Sequence, residues 1–427
     1  METESRASRL GKFLAAVARQ LRDAWAIVGL SLLLLFVLEN SFRFYERLPT
    51  RSSPSEGKST PAKDLPSSQP PAAIAKDPEA SEPWFPEFKE ARHLHMGRAD
   101  ARYVDYDPYR GWWVRPGQHK GLVIEPSGYR HTEQSLQGDP ESLRHVFLFG
   151  GSTMWGYTVR DQATIPSWVA SQLAAAGIKD VEVDNRSQCG FNLTQNLATL
   201  VLELRRGARP TAVVFLDGIN EIGPVAEGDR PGDIYGQADA RRRFAMTHAT
   251  TNQLLLALWS NLHIVQALQS LRPAPPKPDV DVPAACQAIA DNYLNLVRIA
   301  EALGREFDFT PLFFWQPALA TSGKVLGPWE AHLMADEAGG PLVKLTKACV
   351  PYVEARLASR KGINYFPLHA IFDDVPGDQF LDQFGHVTEQ ADAVLAAAIT
   401  QQLLPVLQRT ESQHASGASP PLAEDGG

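Results

Sequence analysis

Between residues 144 and 408 the apolar positions follow two alternating rhythms. Short, continuous apolar or β-branched runs recur: "RHVFLF" (144–149), "VEVDN" (181–185), "TAVVFLD" (211–217), "PLFFW" (311–315) and "INYFPL" (363–368). Their length and composition predict strands. Between and after them the spacing turns helical, in "TIPSWVASQLAAAG" (164–177), "LTQNLATLVLELRRG" (193–207), "AACQAIADNYLNLVRIAEALG" (284–304), "PLVKLTKACVPYVEARLAS" (341–359) and "TEQADAVLAAAITQQLLPVL" (388–407). Glycine closes three of these, as a helix stop does, and Pro351 reads as a kink or a break. Buried strands alternating with helices predict an α/β fold with a five-stranded, mostly parallel sheet covered on both faces.

The flanks depart from this rhythm. Residues 100–132, with "YRGWWVRPG" and "GLVIEPSGYR", read as a small antiparallel preface. Residues 223–283 read as an insertion holding a helix, "NQLLLALWSNLHIVQALQSL", and a Pro-rich loop. At the N-terminus, Arg6, Arg9, Lys12, Arg19 and Arg22 precede the apolar run "AWAIVGLSLLLLFVL", fifteen residues from Ala24 to Leu38. Bulky, charged residues follow it, unlike a cleavage site. The expectation is a basic cytoplasmic end and single transmembrane anchor over 1–45, giving a single-pass inner-membrane protein whose main domain faces the periplasm. A Pro/Ser-rich linker over 46–84 and a tail over 411–427 have too little to bury to fold, which leaves a domain at 85–410.

Composition narrows the classes. The net charge of -8 over 427 residues argues against a nucleic-acid partner. Cys189, Cys286 and Cys349 lack metal-ligand spacing and allow at most one disulfide, whose partners the sequence leaves open.

Chemistry is expected where parallel strands end. The first ends in "GGSTMWG", a glycine-opened turn presenting Ser152, which is either a nucleophile or a turn serine. The second ends in "NRSQCGFN", where Gly190 allows a close backbone approach or simply stops the strand. The third ends in "LDGINEI", where Asn220 is an oxyanion donor or a turn residue. Before the last helix, "FLDQFGHVTEQ" offers His386 as a base, with Asp382 four residues earlier, or as part of a helix cap.

Serine, glycine, asparagine and an Asp–His pair, in that order and at successive strand ends, resemble the SGNH, or GDSL-like, hydrolase family, and its bacterial envelope-linked branch in particular. The resemblance runs from about 144 to 408. It implies a flavodoxin-like three-layer α/β/α sandwich, no metal and no organic cofactor. It also implies Ser152 as nucleophile, His386 as base and then acid, and an oxyanion hole made by the N–H of Ser152, the N–H of Gly190 and the side chain of Asn220. Three positions depart from the family pattern. Gly151 stands where Asp usually precedes the serine, and Glu221 where Asp usually follows the asparagine. Gln383 stands at the usual place of the acid, three residues before the histidine. Either the loop bulges so that Asp382 orients His386, or a Ser–His dyad works alone; Asp378 is a more distant candidate.

The expected activity is ester cleavage, or acyl transfer, on an acylated carbohydrate or small ester, O-acetyl groups on an envelope glycan above all. Trp112, Trp113, Trp155 and Trp315 are candidate sugar-stacking residues. A non-catalytic, membrane-tethered glycan-binding or scaffold member of the same fold is the alternative.

Overall fold

The computed structural model describes residues 104–119, 122–157, 159–237, 280–337 and 339–415, with single helical positions at 22, 25, 29–31, 34, 37, 240, 241 and 244. The chain divides into two units, one formed by Met1–Pro70 with Ala240–Pro278 and the other by Pro71–Asp239 with Asp279–Gly427. Only the single helical positions of the first unit are described. The expected linker (46–84), the helix expected over 252–271 and the chain beyond 415 lie outside the described residues.

Among the described residues no helix is long and apolar enough to cross a membrane. The expected anchor, the single-pass inner-membrane placement and the membrane contact drawn from them are therefore corrected. The physical reason lies in the length of the run. Fifteen apolar residues fall short of the roughly 20 that a bilayer core requires, and the bulky and charged residues that follow do not lengthen it.

The described part of the second unit starts with two antiparallel hairpins, β1 (Val104–Asp107) with β2 (Gly111–Val114) and β3 (Gly117–His119) with β4 (Leu122–Ile124). The main sheet and its helices follow: β5 (Arg144–Gly150), α1 (Ser152–Trp155), α2 (Ile165–Ala175), β6 (Val181–Asn185), α3 (Leu193–Arg205), β7 (Pro210–Asp217), α4 (Ile219–Ala226), α5 (Val282–Phe307), β8 (Thr310–Trp315), α6 (Pro328–Glu337), α7 (Pro341–Ala358), β9 (Tyr365–Pro367) and α8 (Glu389–Ala415). The five strands β6-β5-β7-β8-β9 all pair in parallel. In chain order this is 2-1-3-4-5, the flavodoxin-like arrangement. Pro351 lies inside α7 without breaking it, and α8 continues past the expected boundary at 410.

Period-two alternation sorts the strand side chains into two cores. Val146, Leu148, Ala212, Val214, Leu216, Leu312 and Phe314 pack with α2 and α8. Phe147, Phe149, Val213, Phe215, Phe313 and Trp315 pack with α3, α5 and α7. The sheet is thus the middle of three layers. On the second face, Phe149, Phe215 and Phe313 stack across three neighbouring strands, with ring centroids 5.6 and 5.3 Å apart. Each such fully buried aromatic contributes about 1.5–3 kcal/mol.

Helix starts follow local chemistry. Thr164 caps α2 by accepting from Ser167 N, and Asn192 and Gln195 form a reciprocal capping box on α3. Cys286 of α5 and Cys349 of α7 form a disulfide, while Cys189 is a buried free thiol.

Candidate active site

Strand order decides what meets at the carboxyl edge. Because β5 lies between β6 and β7, the residues leaving these three strands converge at the switch point of the sheet. Ser152 is the first residue of α1, separated from β5 by Gly151 alone. Its Oγ lies 2.6 Å from His386 Nε2, and His386 Nδ1 lies 2.5 Å from Asp382 Oδ2. Ser152 and His386 are both buried. The first-turn N–H groups of α1, that of Ser152 included, have no partner within the helix.

Asp382 reaches His386 from four residues back because the loop is a closed turn. Phe380 and Val387 form an antiparallel bridge, Leu381 N donates to His386 O at 2.8 Å, and Thr388 N donates to Gln379 O at 2.9 Å. Inside the turn, Asp382 Oδ1 accepts from Phe384 N at 2.8 Å and from His386 N at 3.3 Å. Gly385 has φ 78°, in the left-handed region that glycine tolerates, and a Cβ there would run into Gln316 and Pro317 O. Asp378 is held elsewhere: its Oδ1 accepts from Glu330 N at 3.1 Å.

Asn220, on the first turn of α4, turns its Nδ2 toward the α1 turn. One amide N–H donates to Phe191 O at 3.0 Å, which leaves the second for another acceptor. The same nitrogen occupies the space that a Cβ on residue 151 would need, so Gly151 is the residue that lets Asn220 approach Ser152. Gly190 has φ 65° in the turn between Gln188 and Phe191, and among the described residues its N–H meets no protein acceptor.

Glu221 does not disturb this corner. It is buried, and its Oε1 accepts from Leu193 N at 2.6 Å, so it satisfies the first N–H of α3. Burial pushes its pKa up to about 7, partly offset by that bond. Nearby Asp217 accepts from Asn196 Nδ2 at 3.2 Å and from Tyr293 OH at 3.3 Å. Burial first, and then the Glu221 charge, hold its carboxyl well above the usual range.

Four supporting residues were missed by the sequence reading. Gln316, directly after β8, donates from N to Asp217 O at 2.7 Å and from Nε2 to Phe384 O at 3.2 Å, tying the third strand end to the histidine loop. A polar residue immediately after a continuous apolar strand is the signal that would have found it. Thr153 Oγ1 donates to Gly385 O at 3.2 Å. Arg130, wholly buried, pairs with Asp161 and donates to the carbonyls of Trp155, Gly156 and Val159 just after α1. Tyr157 lies 4.9 Å from the His386 ring, centroid to centroid. The last three side chains sit in unremarkable sequence and become visible only in three dimensions.

The four tryptophans divide. Trp155 and Trp315 are core residues, 0% and 2% exposed, so neither stacks on a sugar. Trp112 and Trp113 are partly buried against Phe191, and Trp112 Nε1 donates to Cys189 O at 3.2 Å. The β1–β2 hairpin is thereby fixed beside Gly190.

No family model and no curated protein matches the chain. Among solved structures it is similar to the acetyl xylan esterase AlAXEase, with 12% identity and a TM-score of 0.33 over 61% of this chain and 100% of that one. It is also similar to a lipase/acylhydrolase from Enterococcus faecalis, with 17% identity and a TM-score of 0.34 over 61% of this chain and 95% of that one. A third similar structure is an acetylxylan esterase from Geobacillus stearothermophilus, with 11% identity and a TM-score of 0.33 over 61% of this chain and 94% of that one.

Proposed function

We propose that the chain is an SGNH-type serine ester hydrolase working through an acyl-enzyme. The observation that carries this reading is the continuous chain from Ser152 Oγ to His386 Nε2 at 2.6 Å and from His386 Nδ1 to Asp382 Oδ2 at 2.5 Å. With Nδ1–H held by Asp382, Nε2 is the free base that accepts the Ser152 proton as Oγ attacks the ester carbonyl. The oxyanion gathers N–H donors from Ser152, Gly190 and the second amide proton of Asn220. Losing one such donor typically costs ~3–4 kcal/mol. The imidazolium then protonates the leaving alcohol. Water, deprotonated by the same nitrogen, releases the acid and restores Ser152. A sugar hydroxyl entering in place of water makes the same site an acyltransferase.

For the substrate we propose an O-acylated carbohydrate, with acetyl as the acyl group. Its support is the β1–β2 hairpin beside Gly190, where Tyr106 pairs opposite Trp112 and is exposed together with Tyr109. Aromatic faces of this kind offer stacking area to sugar rings.

The test is hydrolysis of p-nitrophenyl acetate and of a peracetylated oligosaccharide, with acetate release measured by mass spectrometry. The chain should turn over both, and Ser152→Ala neither. Equal rates for the two proteins would remove the enzyme reading; cleavage of the nitrophenyl ester alone would remove the carbohydrate substrate.

A further inference from the structure

Lys324 and Glu330 form an ion pair in which both side chains are 0% exposed, with Nζ 2.5 Å from Oε2. Burying two charges is costly, and well-packed apolar residues of similar volume are often as stable or more so. Such a pair calls for a reason beyond stability, and its partners supply one. Lys324 Nζ also donates to Val325 O at 3.2 Å and to Gly377 O at 2.8 Å. Glu330 Oε2 also accepts from Gly327 N at 3.0 Å, and Oε1 accepts from Gln379 N at 2.8 Å and Phe380 N at 3.0 Å. Asp378 Oδ1 accepts from Glu330 N at 3.1 Å, and Trp329 Nε1 donates to Leu381 O at 3.0 Å. Every residue from Gly377 to Leu381 is therefore gripped by the segment 324–330, and the next residue is Asp382.

The gripped residues are also the base of the turn that brings Asp382 onto His386. Gln379, Phe380 and Leu381 pair with Thr388, Val387 and His386 respectively. Burial disfavours the Glu330 carboxylate, yet the Lys324 ammonium and the N–H groups of Phe380, Gly327 and Gln379 outweigh it and hold its pKa below the usual range. The Glu330 carboxylate is thus ionised at neutral pH and binds the loop through charge-assisted bonds, which are stronger than neutral ones.

We propose that the Lys324–Glu330 pair is a positioning device that holds Asp382 in line with His386, an inference that rests on reading Asp382 as the catalytic acid. Neither residue touches the reacting atoms. Their effect passes through the geometry of the Asp382 carboxylate.

The experiment compares Glu330→Gln in the wild-type and Asp382→Ala backgrounds of the full chain, on p-nitrophenyl acetate, well below each melting temperature. In the wild-type background kcat should fall roughly 10- to 100-fold with KM changed less than about threefold, the pattern of an interaction felt in the transition state. In the Asp382→Ala background the same substitution should change kcat by less than about twofold, because the two residues act through one group. A merely structural role would lower activity by the same factor in both backgrounds, and that result would overturn the proposal. So would full kcat in folded Glu330→Gln. Should Glu330→Gln fail to fold, Trp329→Phe removes the bond to Leu381 O and keeps an aromatic ring in place. It should lower kcat at least about threefold, again only while Asp382 is present, and an unchanged kcat overturns the proposal. An inactive wild-type chain would instead overturn the hydrolase reading, and this inference with it.

Discussion

The side-chain nitrogen of Asn220 fills the space that a Cβ on Gly151 would require. The residue before the serine therefore acts by having no side chain: its bareness sets how closely the amide approaches Ser152, where the proposed oxyanion would form. Gly151→Ala should force Asn220 aside. Steady-state assays should show kcat lowered about 100- to 1000-fold, comparable to loss of an oxyanion donor, with a stability cost of ~1–3 kcal/mol from overpacking. Gly151→Asp, which restores the residue usual in the SGNH pattern, should be at least as damaging here. Normal activity in either variant would show that Asn220 takes no part.

Asp382→Asn tests the acid separately from the loop. Asp382 Oδ1 holds the N–H groups of Phe384 and His386, and an asparagine Oδ1 can keep both bonds. Its Nδ2 would then face His386 Nδ1 as a donor and impose the tautomer that has no free base at Nε2. A roughly 10³- to 10⁴-fold fall in kcat is expected, with the melting temperature little changed. A fall below tenfold would favour a Ser–His dyad.

The sheet was legible because buried parallel strands write continuous apolar runs, and "TAVVFLD" cannot lie elsewhere than in the middle of the layer. The strand ends were legible for a related reason: glycine and polar residues directly after such a run must sit at the sheet edge. The acid was not, since a spacing of four rather than three says nothing about whether the turn closes, and closure depends on Gly385 and on bonds from segments far away in sequence. Lys324 and Glu330 were invisible for the same reason, as two charges flanking the short stretch "VLGPW" read as surface. The N-terminal run misled because its apolar character is clear while its length is insufficient.

Removing the disulfide should affect the scaffold without touching the site. Cys286 and Cys349 are separated by 63 residues and clamp α5 to α7, on the face that carries the aromatic stack. Closing a loop of that length contributes about 4 kcal/mol in the chain-entropy account. The double variant Cys286→Ala/Cys349→Ala should lose stability of that order in urea titrations, while kcat at 25 °C stays within about twofold, as expected for a site with no shared partners. A large loss of kcat in the folded variant would show that the α5–α7 face is coupled to the catalytic edge.

The buried carboxyl of Glu221 makes stability depend on pH in a definite direction. Its folded pKa, raised from an ordinary 4.5 to about 7, means that the fold prefers the protonated acid. The stabilisation is complete below about pH 4.5 and disappears as pH rises through about 7, because the folded state must then ionise a group that the unfolded chain ionises freely. Asp217, raised for the same reasons, adds in the same direction. In Glu221→Gln the amide oxygen can still accept from Leu193 N, and no charge forms. Between pH 5 and pH 8 the wild-type chain should therefore lose about 2–3 kcal/mol relative to this variant, seen in calorimetry as a melting temperature that falls roughly 3–5 °C further. Parallel melting curves for the two proteins across that range would show that the Glu221 carboxyl ionises as easily in the fold as out of it.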